Sequence, residues 1–177
     1  MNRFYIFLFL IISILFEGEK KFPSFVVEVY FDRHLENDIV FETLVAMDEW
    51  ETATRGEVKF INKESISYED YKKINSNSIF LKSDVSSSKE MSKMVEMKYN
   101  TLAFYHYKTK QIIVVKNHLN DDENLNGIML HEIGHALGLG HTNVKNTIMY
   151  PTTDGASLHL TETDIRQFCY KNYCYWQ

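Results

Sequence analysis

The sequence predicts a single α/β (α+β) domain whose twisted mixed β-sheet has an antiparallel edge strand. Three observations lead to this prediction. The 177 residues, of which 45% are hydrophobic and 24% charged, have the size and composition of one globular domain. Segments with strand-like and helix-like apolar spacing alternate along the chain. Two strand-like segments near residue 110 follow each other closely enough to form an antiparallel hairpin.

Segments rich in β-branched and aromatic residues predict the strands. They are residues 26–31, 57–61, 78–82, 101–107 and 111–116. The last two are joined by Lys108-Thr109-Lys110, which predicts the hairpin. The serine-rich stretch from Ser83 to Asn100 is predicted as a long loop with at most one helical turn.

Three segments have helical apolar spacing and polar residues that can cap a helix. The first helix is expected to end near Arg55 and Gly56, and the last to continue to about Tyr170. Thr161 begins a Thr-Glu-Thr-Asp pattern that is typical of a capping box. The candidate caps, in chain order, are Asn37 or Asp38, Asn124 or Asn126, and Thr161.

The net charge of −5 argues against nucleic acid or an anionic membrane surface as the main partner. The chain has no internal repeat and no sign of a second domain. We therefore expect a monomer.

The first residues are typical of a targeting segment rather than of the folded domain. Met1-Asn2-Arg3 gives a positively charged start, and an apolar run extends from Phe4 to Phe16. This run is short for a membrane span and suits the core of a secretory signal. No small-x-small cleavage site precedes Glu17, so an uncleaved membrane anchor through residues 4–16 stays open. Residues 1–18 are predicted as a signal peptide or signal anchor and 24–177 as the domain, which lies outside the cytosol in either case.

The two cysteines of the chain, Cys169 and Cys174, lie close together near the end of the last predicted helix. In an exported protein such a pair is expected to form a disulfide. The bridge requires the helix to end near residues 171–173, because on one unbroken helix the two side chains would point to different faces. The alternative is two free, partly buried thiols.

A cluster of histidines near residue 135 indicates a metal site. His131 and His135 are four residues apart, so on a helix both rings can reach one ion. His141 would lie on another face of a continuous helix. Gly138 can end the helix, since glycine adopts left-handed backbone angles without steric cost, and the turn then brings His141 back to the ion. Three histidines leave a fourth position open for water, as in a catalytic zinc site.

Glu132 follows the first of these histidines and can act as a general base. It can accept a proton from a zinc-bound water, the nucleophile, without binding the ion. A short His-Glu-x-x-His pattern also occurs by chance on solvated helices. Here His141 and Gly138 fall in register as well, which favours one catalytic Zn²⁺ held by the three histidines.

The segment from His131 to His141, followed by Met149-Tyr150-Pro151, resembles the metzincin zinc endopeptidases. Within that group it is most similar to the matrixins, the matrix metalloproteinase-like enzymes, because Thr142 follows the last histidine and Tyr150-Pro151 follow the methionine. Residues 101–103 are similar to the matrixin edge strand, and Leu160 to Ile165 to the start of the last matrixin helix. The similarity is strong over residues 125–170 and only architectural over 25–100.

The resemblance implies a zincin/metzincin-like catalytic domain with an N-terminal helix, an active-site helix, a Met-turn and a C-terminal helix. It also implies a secreted zinc metalloendopeptidase that hydrolyses protein substrates, such as those of the extracellular matrix. The substrate, a protein or peptide, is expected to lie along the edge strand at residues 101–107. Met149 is expected to form an apolar floor beneath the zinc without binding it.

The sequence departs from the matrixin pattern at several points. No cysteine precedes Cys169, so we expect no inhibitory pro-segment and an enzyme that is active once folded. The stretch 83–100 has no histidine, and the spacing of its acidic residues is not that of a calcium site, so neither structural Zn²⁺ nor Ca²⁺ is expected. Gly127, Thr152 and Thr153 replace the usual pocket-lining residues, so the cleavage specificity does not carry over. The remaining histidines are expected to be surface or hydrogen-bonded residues: His34, His106, His118 and His159.

Overall fold

The sheet has five strands, four of which are parallel to one another. The structure is a computed structural model and describes residues 23, 25–74, 77–84, 101–119 and 124–174. The strands are β1 (Phe25–Asp32), β2 (Val58–Ile66), β3 (Ser78–Asp84), β4 (Ala103–His106) and β5 (Gln111–Val115). Their order across the sheet is β2-β1-β3-β5-β4, and β4 pairs antiparallel with β5 at one edge. The predicted mixed sheet, hairpin and antiparallel edge strand are confirmed.

In the described residues, four α-helices accompany the sheet: α1 (Asn37–Ala53), α2 (Tyr68–Tyr71), α3 (Leu125–Ala136) and α4 (Glu162–Asn172). A short 3-10 helix, Lys116–His118, follows β5. The prediction of Asn37 or Asp38 as the first cap is wrong, because Glu36 occupies the N-cap position and makes no side-chain cap hydrogen bond. Its carboxylate instead accepts from Ser83 of β3 and from Lys116, which directly follows β5. The helix ends at Ala53, slightly before the predicted end, and Gly56 follows in the left-handed region with φ 76°.

One face of the sheet packs against α1 and α3 and forms the main core. Along β1, Val27, Val29 and Phe31 alternate toward this face and are buried, as expected for a strand with one face in the core. Trp50 of α1 is fully buried in this core, and its ring contacts that of Phe168 in α4 at 5.9 Å between centroids. The core therefore joins α1, α3 and α4 beneath one face of the sheet.

The opposite face carries an aromatic cluster. Tyr71 of α2 stacks on Phe80 of β3 at 4.9 Å between ring centroids, and Tyr68 lies against the same ring. The Tyr71 hydroxyl donates to the main-chain oxygen of Ser78, which ties α2 to the start of β3. This four-residue helix was not predicted from the sequence. Of the stretch predicted as a long loop, residues 83–84 extend β3 and residues 85–100 lie outside the described residues.

The end of α4 confirms the predicted disulfide. Cys169 and Cys174 are bonded, and α4 ends at Asn172, as the bridge requires. Tyr173 then takes a left-handed conformation with φ 54°, and the main-chain N–H of Cys174 donates back to the carbonyl of Cys169. The predicted targeting segment lies outside the described residues. None of the helices in the described part of the chain is long and apolar enough to cross a membrane.

Candidate metal centre

The helix α3 begins and ends where its sequence predicts. The side chain of Asn124 accepts from the main-chain N–H of Gly127, which caps the first turn. At the other end, Gly138 has φ 92°, and the main-chain N–H of Leu139 donates to the carbonyl of Gly134. This left-handed residue stops the helix and reverses the chain toward His141.

The turn brings three histidines to one point. The Nε2 atom of His141 lies 3.2 Å from the Nε2 of His131 and 3.2 Å from that of His135. One ligand atom from each of the three lies within 4.8 Å of those of the others. The His141 ring is exposed and the other two are partly buried. In the described residues this is the one cluster of histidine, cysteine and acidic side chains that could hold a metal ion.

The protonation of the rings identifies what this point can bind. The Nδ1 of His131 contacts the carbonyl of Ile148 at 2.7 Å, and the Nδ1 of His135 contacts that of Leu139 at 2.9 Å. Because a carbonyl only accepts, each Nδ1 carries the proton and each Nε2 presents a lone pair. Lone pairs that face one another repel unless a cation lies between them.

The spacing also suits zinc. Ligand nitrogens about 2.0–2.1 Å from a tetrahedral ion lie about 3.3 Å from one another, close to the observed 3.2 Å. The donor set is three neutral imidazoles, which is typical of a catalytic zinc site with one open position. The residues present therefore fit the ion.

Burial and mutual repulsion keep these histidines neutral in the metal-free site. Burial is the main cause that lowers the pKa of His131 to about 4, and the neighbouring His135 lowers it further. The bond to Ile148 and the negative charge of Asp164 act in the opposite direction. Burial also lowers the pKa values of His135 and His141. Neutral rings at physiological pH are the form that binds a metal.

Glu132 lies on the same helical turn and is almost completely buried, with 5% of its surface exposed. Burial raises its pKa to about 8, and a hydrogen bond from the main-chain N–H of Tyr105 opposes this rise. Its Oε2 atom is buried and has no hydrogen-bond partner. A buried carboxylate oxygen without a partner costs free energy, so natural proteins tolerate one mainly where it has a task.

Met149 and Asp164 form the support beneath the cluster. Met149 is fully buried and approaches Gly134 of α3 so closely that a side chain at position 134 would overlap the Met149 sulfur. The Asp164 carboxylate accepts from the main-chain N–H groups of Ile148 and Met149 at 3.1 and 3.2 Å. The helix α4 therefore fixes the turn that carries Met149.

A second support comes from α1. The indole N–H of Trp50 donates to the carbonyl of Leu130 at 3.0 Å, immediately before His131. A Cβ at Gly134 would lie 3.3 Å from the Trp50 ring, so the glycine allows this ring to pack against α3. Trp50 therefore fixes α3 at the turn that carries His131 and Glu132.

Comparison with known proteins supports the resemblance seen in the sequence. A family model described as Matrixin matches residues 27–170, which is most of the chain. The chain belongs to the matrixin family. Other matrixins share shorter segments with it: metalloendoproteinase 2-MMP of Arabidopsis thaliana is 46% identical over 48 residues, and matrilysin of Rattus norvegicus is 46% identical over 41 residues.

These matrixin matches cover a small part of each protein. The aligned segments span 26% of this chain and 13% of the Arabidopsis protein, and 22% of this chain and 15% of matrilysin. The fold is similar to that of archaemetzincin from Methanopyrus kandleri, with a TM-score of 0.56. That match has 15% sequence identity and covers 88% of this chain and 99% of the other. The fold of this matrixin is therefore of the zincin/metzincin type, as predicted.

The site residues named from the sequence come together in this matrixin. His131 and His135 of α3 meet His141 of the segment that follows the helix, and Glu132 lies next to His131 on α3. Outside the cluster, His106 contacts Thr109, His118 contacts the carbonyl of Thr101, and His159 contacts Glu49. Sequence reasoning missed three supporting groups: the Asp164 carboxylate, the Trp50 indole and the Tyr105 main-chain N–H. Asp164 was recognised as part of a capping box, but nothing local indicated its bonds to residues 148 and 149.

Proposed function

We propose that this matrixin is a zinc-dependent metalloendopeptidase that acts on protein or peptide substrates outside the cytosol. One observation carries the proposal: three imidazole nitrogens converge on one point, and Glu132, next to His131 on α3, has a buried Oε2 without a partner. A structural metal site does not need a buried carboxylate that neither binds the ion nor forms a complete set of hydrogen bonds. One Zn²⁺ held by His131, His135 and His141 accounts for the converging nitrogens. A role as proton acceptor accounts for the buried carboxylate oxygen that has no partner.

Glu132 is the general base and acid of the proposed reaction. When bound, zinc supplies a Lewis acid that polarises the scissile carbonyl and lowers the pKa of water to about 7. The unpartnered Oε2 of Glu132 accepts the proton of the attacking water. The same carboxyl group then gives that proton to the leaving amine. The raised pKa of Glu132 suits a group that must accept and release a proton near neutral pH.

The edge strand β4 is the proposed binding surface for the substrate. The main-chain N–H of Val115 donates to the carbonyl of Leu102, so the main-chain groups of Leu102 face β5. Strand alternation then directs those of Ala103 and Tyr105 to the open side of β4. Among the described strands, none lies on that side. An extended peptide can therefore add to this edge at Ala103, next to the Tyr105 N–H that bonds Glu132.

Location outside the cytosol rests on two features of the sequence. The apolar segment 4–16 is typical of a secretory signal, with a membrane anchor as the alternative. The Cys169–Cys174 disulfide is typical of an oxidising compartment. The charge of −5 gives no reason to expect a nucleic-acid partner.

Hydrolysis of unfolded casein by the zinc-loaded protein tests the proposal. We expect Glu132→Ala to retain zinc but to lower the rate by a factor of about 10² to 10⁴, the usual contribution of a general acid–base group. Glu162→Ala is the matched control, since this exposed glutamate on α4 pairs with Arg166 and should not affect the rate. Equal rates for wild type and Glu132→Ala would contradict the mechanism. A zinc-loaded wild type with no hydrolysis would instead favour a binding protein on the same scaffold.

A further inference from the structure

One peptide group lies between Asp164 and His131. Its carbonyl belongs to Ile148 and accepts from the Nδ1 of His131 at 2.7 Å. Its N–H belongs to Met149 and donates to Oδ1 of Asp164 at 3.2 Å. The two hydrogen bonds therefore use opposite ends of the same amide plane, and they connect a carboxylate to an imidazole through four covalently linked atoms.

The Asp164 carboxylate, at one end of this series of hydrogen bonds, is held in a fixed position. Asp164 is fully buried, and its carboxylate accepts four hydrogen bonds. In addition to the two main-chain N–H groups of the turn, both the main-chain N–H and the hydroxyl of Thr161 donate to Oδ2, at 2.9 and 2.6 Å. A carboxylate with this set of donors has a fixed orientation.

The second histidine lacks this arrangement. His135 donates from Nδ1 to the carbonyl of Leu139, whose peptide continues to Gly140. Gly140 is exposed to solvent, whereas Met149 is fully buried. The two histidines therefore differ in the peptide group that accepts from Nδ1. That of His131 is buried and bonded to a carboxylate, and that of His135 leads to an exposed residue.

We propose that Asp164 is a positioning residue that acts through the Ile148–Met149 peptide to strengthen zinc binding by His131. A hydrogen bond from the amide N–H to a carboxylate polarises the amide and makes its carbonyl a stronger acceptor. The stronger bond to Nδ1 fixes the ring and raises the electron density at Nε2, which is the atom that faces the ion. A carboxylate bonded directly to a zinc-ligating histidine has this effect, and here the peptide transmits it.

The inference rests on the zinc site of the proposed function but not on peptide hydrolysis. Its test is the dissociation constant of zinc, measured by competition with a chromophoric chelator. In Asp164→Asn, the amide oxygen can keep the three bonds at the Oδ2 position, and the amide nitrogen then faces the N–H of Met149. Only the bond to the relaying peptide is lost. We expect zinc affinity to fall about tenfold, at the lower end of the range for such partners.

Thr161→Val is the control for a general loss of stability. It removes the hydroxyl that caps α4 and bonds Asp164, but it leaves the bond between Asp164 and Met149. We expect the melting temperature of the metal-free protein to fall in both variants and the zinc affinity to fall only in Asp164→Asn. Equal affinity in wild type and Asp164→Asn would overturn the inference, as would an equal loss in both variants. A wild type that binds no zinc would overturn the proposed function itself.

A measurement on the wild type covers the case in which Asp164→Asn does not fold. Zinc binding makes the His131 Nδ1–H more acidic, so its bond to Ile148 should shorten and polarise the peptide further. The amide proton of Met149 should then move downfield in the NMR spectrum when zinc is added. The amide proton of Ile148 is an internal control, because it bonds the same carboxylate from a different peptide. If the Met149 proton does not move farther than that of Ile148, the inference is wrong.

Discussion

Glu132→Gln should make the metal-free protein more stable at neutral pH. The pKa of this carboxyl group is raised from 4.5 to about 8 in the folded protein, chiefly because it is buried. Between these two values the folded state binds a proton that the unfolded chain has released. Stability therefore falls as pH rises from 4.5 to about 8. Below pH 4.5 the carboxyl group is protonated in both states and does not lower the stability.

The magnitude follows from the distance between pH and the ordinary pKa. Neutral pH lies about 2.5 pH units above 4.5, and each unit is worth about 1.4 kcal/mol. At pH 7 the free energy of unfolding of the wild type should therefore be about 3 kcal/mol lower than at pH values below 4.5. Glutamine has nearly the same shape and does not titrate, so the variant should lack this loss.

The assay is urea unfolding of both proteins at pH 5, 6, 7 and 8 in the presence of a chelator. The difference in the free energy of unfolding should grow in favour of Glu132→Gln by about 1.4 kcal/mol per pH unit up to pH 7. The histidines of the site titrate in both proteins, so their contribution largely cancels in this difference. With zinc bound, the difference should shrink, because a nearby cation favours the ionised carboxylate. A difference that stays constant between pH 5 and 7 would refute the reasoning.

Two further predictions concern the stability of the fold. Trp50→Phe removes the hydrogen bond to Leu130 and part of a buried ring. The free energy of unfolding, measured by urea denaturation, should therefore fall by about 2 kcal/mol. A change below about 0.5 kcal/mol would mean that the indole does not support α3. Replacing both Cys169 and Cys174 with serine should lower stability by about 2 kcal/mol, because the bridge closes a short loop. In that variant the melting temperature should no longer respond to a reductant, and a wild type that is equally insensitive would contradict the prediction.

The parts of the site that could be predicted from the sequence depend on local geometry. His131 and His135 share a helix face by spacing alone, and Gly138 marks where that helix must end. Thr161 and Asp164 form a capping box because they are three residues apart. In each case the interacting groups lie within a few turns of one chain segment, so their arrangement follows from the helix period.

The remainder depends on contacts between distant segments. The bonds from Ile148 and Met149 to Asp164 connect a loop to a helix that begins later in the chain. The strand β2 extends to Ile66 through a polar stretch that has no strand pattern, because it pairs with β1 up to Asp32. The helix α1 begins with Glu36 as its N-cap residue, whose side chain is drawn to Lys116 and does not cap the helix. Such pairings become visible only when the fold places the partners together.

The hydrogen bond between Tyr105 and Glu132 also bears on how the open edge of the sheet can pair with another copy of the protein. An edge strand with free N–H and C=O groups can pair with the edge of another copy and start aggregation. Here β4 has four residues, and its Tyr105 N–H is already bonded within the molecule. A long strand from a second sheet would therefore find an interrupted ladder, whereas a single flexible peptide can still pair at Ala103. The same contact that orients a carboxyl group also discourages the molecule from assembling with itself.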